Sequence, residues 1–338
     1  GARQMRLPYS RGGSCAGSAC GWRGGGLAVA DSPLISAVIC TYNRADLLAG
    51  AIESLLEQTL NPAHREIIVV DNASTDGTRA VVEQFAPDGV RYVLETRQGL
   101  GYARNRGWQE ARGEFVAYID DDARAHPALL ERALGLLQTA DPDPLCVGGA
   151  ILPFYTQPEP DWFKDEYEIR TWGAEARALT PGETFSGSNM VWRRDVLARY
   201  GGFPVDRGVT GDYLAVGEET GLFDRIWQAE PAPCFFYSPD LVVYHWVDPV
   251  KLSVGYRLKR SFITGQDEAL HRAHSEPRLR FWARHLYHLA AGVLRALPAR
   301  FRHRYWQNWV YEDWQDPAVS AGALLAALGV RMRVRQRQ

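Results

Sequence analysis

Three consecutive carboxylates, Asp120, Asp121 and Asp122, close the apolar run EFVAYI. Like charges side by side repel, and burial at a strand end disfavours their ionised form further. A divalent cation offsets both effects. On an extended strand end Asp120 and Asp122 point one way and Asp121 the other. Oxygen donors without sulfur suit hard ions such as Mg²⁺ or Mn²⁺. Mg²⁺ typically takes one or two carboxylates plus substrate phosphates. The alternative is a solvated acidic turn ahead of a helix, where Asp suits the N-terminal dipole. A second acidic pair, Glu218 and Glu219, stands in GEETGLFDRI. Either carboxylate can deprotonate a hydroxyl, or the pair simply caps a helix start. His245 lies in the strand-like LVVYHWV. A lone histidine is commonly a core residue, but a neutral imidazole can join carboxylates around Mn²⁺.

These residues need elements to position them. LISAVIC (34–40), EIIVVD (66–71), VRYVLE (90–95) and EFVAYID (114–120) read as short buried strands. Helical segments separate them: Leu48, Ile52, Leu55 and Leu56 fall on one helical face, as do Val81, Val82 and Phe85. GYARNRGWQEA and HPALLERALGLLQ continue the alternation, with Pro127 suited to the first turn of the latter helix. Strand–helix alternation with short connections predicts an α/β domain, a mostly parallel Rossmann-like sheet with helices on both faces. Ligands of such sheets bind beyond the C-terminal strand ends. TYNR (41–44), DNASTDG (71–77), RQGLGYARNRG (97–107) and DDD (120–122) therefore share one rim.

The rest of the chain sets limits. Its 338 residues carry a formal net charge of -2, with nothing global that points to nucleic acid. The glycine pattern GLGYAR has Arg104 where a dinucleotide fingerprint needs its third glycine, so an NAD site is disfavoured. Residues 1–32, rich in Gly and Ser, read as a disordered leader without a signal-peptide apolar region. Cys15 and Cys20 within it lack partner ligands at useful spacing, and the five cysteines suggest a reducing, cytoplasmic compartment. From residue 253 the chain is helical, basic and aromatic. It lacks a nucleic-acid motif. Ordinary packing on the α/β domain is the favoured reading, and contact with an anionic membrane is the other.

In their order and separations, SAVICTYNR, EIIVVDNASTDGT, GLGYARNRG and GEFVAYIDDDA resemble the family 2 nucleotide-sugar glycosyltransferases. FSGSNMVWRRDVLARYGGFP and GEETGLFDRIW extend the resemblance to about two thirds of the chain. It implies the glycosyltransferase A fold over residues 33–252, a nucleotide-binding half at 33–125 and an acceptor half at 126–252. Thr41, Tyr42, Asn43 and Arg44 would line the nucleotide pocket. Asp71 would accept a hydrogen bond from the base, and Arg104 would approach the base or diphosphate. The triplet would be the family's Asp-X-Asp element, with Asp122 the direct metal ligand. Asp120 or Asp121 would hold the ribose or a metal-bound water, and His245 would be a third ligand. Glu219 occupies the base position, where the family usually has Asp, with Glu218 the alternate. Gly187, Ser188 and Asn189 would form the acceptor-side loop. Trp162, Trp172 and Trp192 could stack on sugars, although each is more simply a core residue.

The resemblance implies inverting transfer from a nucleoside-diphosphate sugar, UDP by default, to a sugar or glycolipid acceptor. Mn²⁺ or Mg²⁺ would serve as cofactor, at the cytoplasmic face of the membrane if the C-terminal region docks there. A metal-dependent nucleotidyltransferase and a catalytically silent carbohydrate- or membrane-binding relative are the rival classes. TYNRAD is not the phosphate loop that the first would need.

Overall fold

The computed structural model describes residues 33–206, 218–272 and 277–330. The leader, Cys15, Cys20 and the basic tail 331–338 lie outside the described residues. The first half alternates as its periodicity dictates: β1 (Ile35–Thr41), α1 (Ala45–Leu56), β2 (Arg65–Asp71), α2 (Thr78–Gln84), β3 (Arg91–Leu94), α3 (Leu100–Glu110) and β4 (Phe115–Asp120). These strands lie in the order β3-β2-β1-β4, every pair parallel. Thr41 is level with Asp71, and Cys40 with Asp120, so the polar strand ends form one rim.

The second half makes the sheet mixed. It comprises β5 (Ala123–Ala125), α4 (Leu129–Thr139), β6 (Cys146–Phe154), β7 (Arg177–Ala178), β8 (Met190–Arg193), α5 (Arg194–Arg199), α6 (Glu218–Ala229) and β9 (Phe235–Trp246). β8 runs antiparallel to both β4 and β6, and β5 and β7 both pair antiparallel to β9. The parallel pattern thus holds from β3 to β4 and returns only between β6 and β9. Pro127 sits ahead of α4 rather than in its first turn; its carbonyl accepts the Thr59 N–H at 2.8 Å.

Strand alternation divides the core. Ile35, Ala37 and Ile39 of β1 pack with Leu48, Ile52 and Leu55 of α1 on one face. Val38 packs on the other, where Ala103 of α3 and Leu222, Phe223 and Ile226 of α6 lie. The same period-2 rule governs β4: Val116 and Tyr118 belong to the α3/α6 face, and Asp120 follows them in parity.

Three helices follow: α7 (Val254–Arg272), α8 (Arg278–Ala299) and α9 (Trp306–Ala327). α7 and α9 approach closely because Gly265 and Gly322 leave no side chain between backbones. A Cβ on Gly265 would lie 1.8 Å from the Val319 carbonyl oxygen. α7 and α9 are tied to the segment after β6 by Arg257 on Glu168 at 2.8 Å and by Asn308 donating to the Trp162 carbonyl at 2.6 Å. The packing reading therefore holds for these two helices. Among the described residues no helix is long and apolar enough to cross a membrane.

Candidate active site

A cavity of about 660 Å³ opens at the rim that the strand ends define. Thr41, Tyr42, Arg44, Asp120, Asp121, Asp122, Arg104, Glu218, Glu219 and His245 all line it.

Two turns of chain bring the triplet to His245. After Asp122 the backbone enters β5, which pairs antiparallel with β9 in the register Ala123↔His245. The Trp246 N–H donates to the Asp122 carbonyl at 2.9 Å. The ligand atoms of Asp120, Asp122 and His245 consequently lie within 4.8 Å of one another. His245 Nδ1 is 3.0 Å from the Trp246 carbonyl oxygen. A carbonyl only accepts, so Nδ1 carries the hydrogen and Nε2 presents its lone pair. That lone pair faces Asp122 Oδ1 at 3.3 Å and Asp120 Oδ2 at 3.7 Å. Three electron-pair donors converging in this way suit a bound cation. Burial lowers the His245 pKa despite the nearby carboxylates, which disfavours a proton in that role. The oxygen-and-imidazole donor set fits Mn²⁺ or Mg²⁺, and the backbone hydrogen bond fixes the ring as in metal-ligating histidines.

The three aspartates differ electrostatically. Burial opposes ionisation of Asp122, but His245, Arg44 and Lys251 outweigh it and hold its pKa below the usual value. Arg44 Nη1 lies 3.2 Å from Asp122 Oδ2. Burial and the Asp122 charge push Asp121 up to about 7. Burial also raises Asp120, although Arg104 opposes it.

Arg104 holds a different place from the one expected at a base or diphosphate. It is 2% exposed, and its guanidinium is committed to the glutamates. Nη1 is 2.9 Å from Glu218 Oε1, and Nη2 is 3.1 Å from Glu219 Oε1 and 3.9 Å from Asp120 Oδ1. Burial and the Glu219 charge push Glu218 up to about 7, against Arg104. The Gly187 N–H donates to Glu219 Oε1 at 2.9 Å. A Cβ at Gly187 would lie 1.7 Å from Arg104 Nη2, so this close approach requires glycine. Gly187 thus approaches the protein's own carboxylate.

Other expected contacts change too. Ser188 and Asn189 are fully buried and do not line the cavity. Asn189 Nδ2 donates to the Ala150 and Leu241 carbonyls at 3.0 and 2.9 Å, so it braces β6 against β9. Of the neighbouring segment, Thr184, Phe185 and Ser186 line the cavity instead. Asp71 is buried, with Oδ1 accepting from Ser74 N and Oδ2 from Tyr92 Oη, both at 2.8 Å. Its neighbour Asn72 lines the cavity. Asn43, in left-handed conformation at φ 51°, clamps the β1 loop to the β2 loop through Thr75 N and Ser74 Oγ. Trp162 and Trp192 are core residues, whereas Trp172 is 38% exposed and lines the cavity. Arg170, Lys251, Tyr256 and Arg260 also line it. They sit in segments without a motif, and no sequence signal singled them out.

The family description "Glycosyl transferase family 2" matches residues 36–201, from β1 through α5. Residues 36–201 are a family 2 glycosyltransferase region, and the chain is a glycosyltransferase. Glucosyl-dolichyl phosphate glucuronosyltransferase of Haloferax volcanii is similar to this glycosyltransferase, with 28% identity over 241 residues, 68% of this chain and 75% of that protein. Succinoglycan biosynthesis protein ExoM of Rhizobium meliloti is 28% identical over 235 residues, 68% of this chain and 72% of that one. Among solved structures, the mannosyltransferase PcManGT from Pyrobaculum calidifontis, in complex with GDP-Man and Mn²⁺, superposes with a TM-score of 0.59. It is 23% identical, covering 87% of each chain, a likeness of fold. The glycosyltransferase A fold expected from the motifs is the fold observed, and the nucleotidyltransferase reading is set aside.

Proposed function

We propose that this glycosyltransferase moves a sugar, with inversion, from a nucleoside-diphosphate sugar to an acceptor hydroxyl in glycolipid or polysaccharide assembly. One observation carries the reading: the Asp120–Asp122–His245 trio and Glu219 open into the same cavity. UDP is the default nucleotide. GDP is the first alternative, since the similar mannosyltransferase was solved with GDP-Man and Mn²⁺.

Glu219 is the base. Its side chain is 19% exposed and Glu218's only 4%. Gly187 and Arg104 both engage Glu219 Oε1, which leaves Oε2 to take the proton. The acceptor oxygen attacks the anomeric carbon as Oε2 removes its hydrogen. The bond from that carbon to the phosphate oxygen breaks, and the nucleoside diphosphate leaves with the electron pair. A divalent metal held by Asp122, Asp120 and His245 would neutralise charge on the departing diphosphate. Glu218 holds Arg104, which in turn aims Glu219. Tyr42, Arg44 and Asn72 line the nucleotide end. Trp172 supports the acceptor as a flat apolar platform.

The enzyme further binds an anionic membrane from its cytoplasmic side, through the outer face of α8. Leu279, Leu286, Leu294 and Leu297 are exposed there, and Phe301, in the turn just after the helix, is 92% exposed. No acidic residue occurs from Arg278 to Arg304, and Arg280, Arg295 and Arg302 flank the apolar stripe. An amphipathic surface with cations at its edges suits an interface of anionic lipid. The described cysteines, Cys40, Cys146 and Cys234, are free, in keeping with a reducing compartment.

The test is a thermal-shift panel of UDP-, GDP- and dTDP-sugars, each with and without Mn²⁺. The matching donor raises the melting temperature with the logarithm of its concentration, and only with metal present. No shift with any donor would overturn the reading.

A further inference from the structure

The cavity holds three cations besides Arg44 and Arg104. Arg170, Lys251 and Arg260 line it together, from the loop after β6, the turn after β9, and α7. Among the described residues none of the three forms an ion pair. The nearby acids are otherwise engaged. Glu168 pairs with Arg257 at 2.8 Å, and Asp122 pairs with Arg44. Asp248 accepts the Val250 N–H at 2.9 Å. Lys251 stands among charges of both signs: burial lowers its pKa, Glu168 and Asp122 oppose this, and Arg260 and Arg170 add to the lowering. Three cations without a direct ion pair around one space favour the entry of an anion.

Their position says which substrate supplies it. Arg170 Nη1 donates to Ser186 Oγ at 2.7 Å. Ser186 directly precedes Gly187, whose N–H holds Glu219. Arg170 therefore stands beside the support of the base, where the attacking hydroxyl must lie, and Lys251 and Arg260 share its cavity. We propose that Arg170, Lys251 and Arg260 form a subsite for a phosphate group on the acceptor. The inference rests on the glycosyl-transfer reading and names its acceptor class: a hydroxyl compound that also bears a phosphate or diphosphate. The other source of the same chemistry is the donor's diphosphate, and the experiment separates the two.

The experiment compares wild type with Lys251→Gln and Arg260→Gln, each checked for an unchanged melting temperature. Calorimetry first measures UDP and GDP with Mn²⁺. Inorganic phosphate and geranyl phosphate are then titrated into enzyme saturated with the nucleotide that binds. The expected result is phosphate binding by nucleotide-loaded wild type, weakened about tenfold or more in each variant, with nucleotide affinity within about twofold. Variants that lose nucleotide affinity instead assign the cations to the donor and overturn the proposal. Failure of both phosphates to bind nucleotide-loaded wild type also overturns it, while leaving the transfer reading intact. Failure of nucleotide binding throughout removes the transfer reading and the proposal with it.

Discussion

Arg104 Nη1 lies 2.9 Å from Glu218 Oε1, joining α3 to α6 across 114 positions of sequence. Both side chains are almost wholly buried. Removing one partner of such a pair costs about 3–5 kcal/mol, because the other charge is left unpaired. Arg104→Met should therefore lower the melting temperature by several degrees. The double variant Arg104→Met/Glu218→Leu should recover part of that loss. A wild-type melting curve for Arg104→Met would contradict the account.

Glu219→Gln keeps the shape but removes proton acceptance. Transfer should fall by roughly 10² to 10⁴-fold, with Mn²⁺–nucleotide affinity nearly unchanged. Glu218→Gln should retain more activity than Glu219→Gln. The reverse order would move the base to Glu218.

His245→Ala and Asp122→Asn each remove one donor from the trio. Mn²⁺ affinity, followed by the EPR signal of free ion, should drop about 10- to 100-fold, a loss of the size that disturbing a metal site typically produces. Chelation should abolish transfer, and added Mn²⁺ should restore it. Transfer that survives complete chelation would rule out the metal's part.

Glu66 gives a pH-dependent test away from the cavity. Burial opposes its ionisation, but the Ser36 hydroxyl, the Arg112 N–H and Arg91 outweigh this and lower its pKa below 4.5. A carboxylate depressed in the folded state contributes stability above its unfolded pKa and loses it as pH falls through the folded value. Wild type should therefore lose stability below about pH 4.5 more steeply than Glu66→Gln does. Parallel pH profiles in urea denaturation would contradict this.

Vesicle sedimentation tests α8. Wild type should pellet with vesicles containing anionic phosphatidylglycerol and much less with phosphatidylcholine alone, and high salt should weaken binding. Leu294→Asp/Phe301→Asp should stay in the supernatant. A concentration-dependent dimer that these substitutions dissolve, without vesicle binding, would assign the face to a second copy instead.

Much of the alternating first half was legible before any coordinates. The strands EIIVVD and EFVAYID appear within a residue or two of their expected bounds, because unbroken apolar runs with sharp polar ends have few other ways to be buried. The same pattern put Asp120 to Asp122 on a rim with Thr41 and Asp71. Other local types misled where burial decides their use. Asn189 and Ser188 looked like hydroxyl-binding groups, yet the β8 entry buries both. Arg104 looked like a phosphate ligand, yet it is spent on Glu218 and Glu219.

Residue order alone determined the alternating elements, the rim and the carboxylates upon it, since periodicity and strand polarity are local properties of the chain. Tertiary structure decided which of those carboxylates meet. The antiparallel return of β5 onto β9 sets Asp122 beside His245, and the packing of α6 on α3 sets Glu219 against Arg104 and Gly187. It also gathered Arg170, Lys251 and Arg260 from three separate segments. Such contacts depend on register and packing between distant segments, and no local pattern in the sequence encodes them.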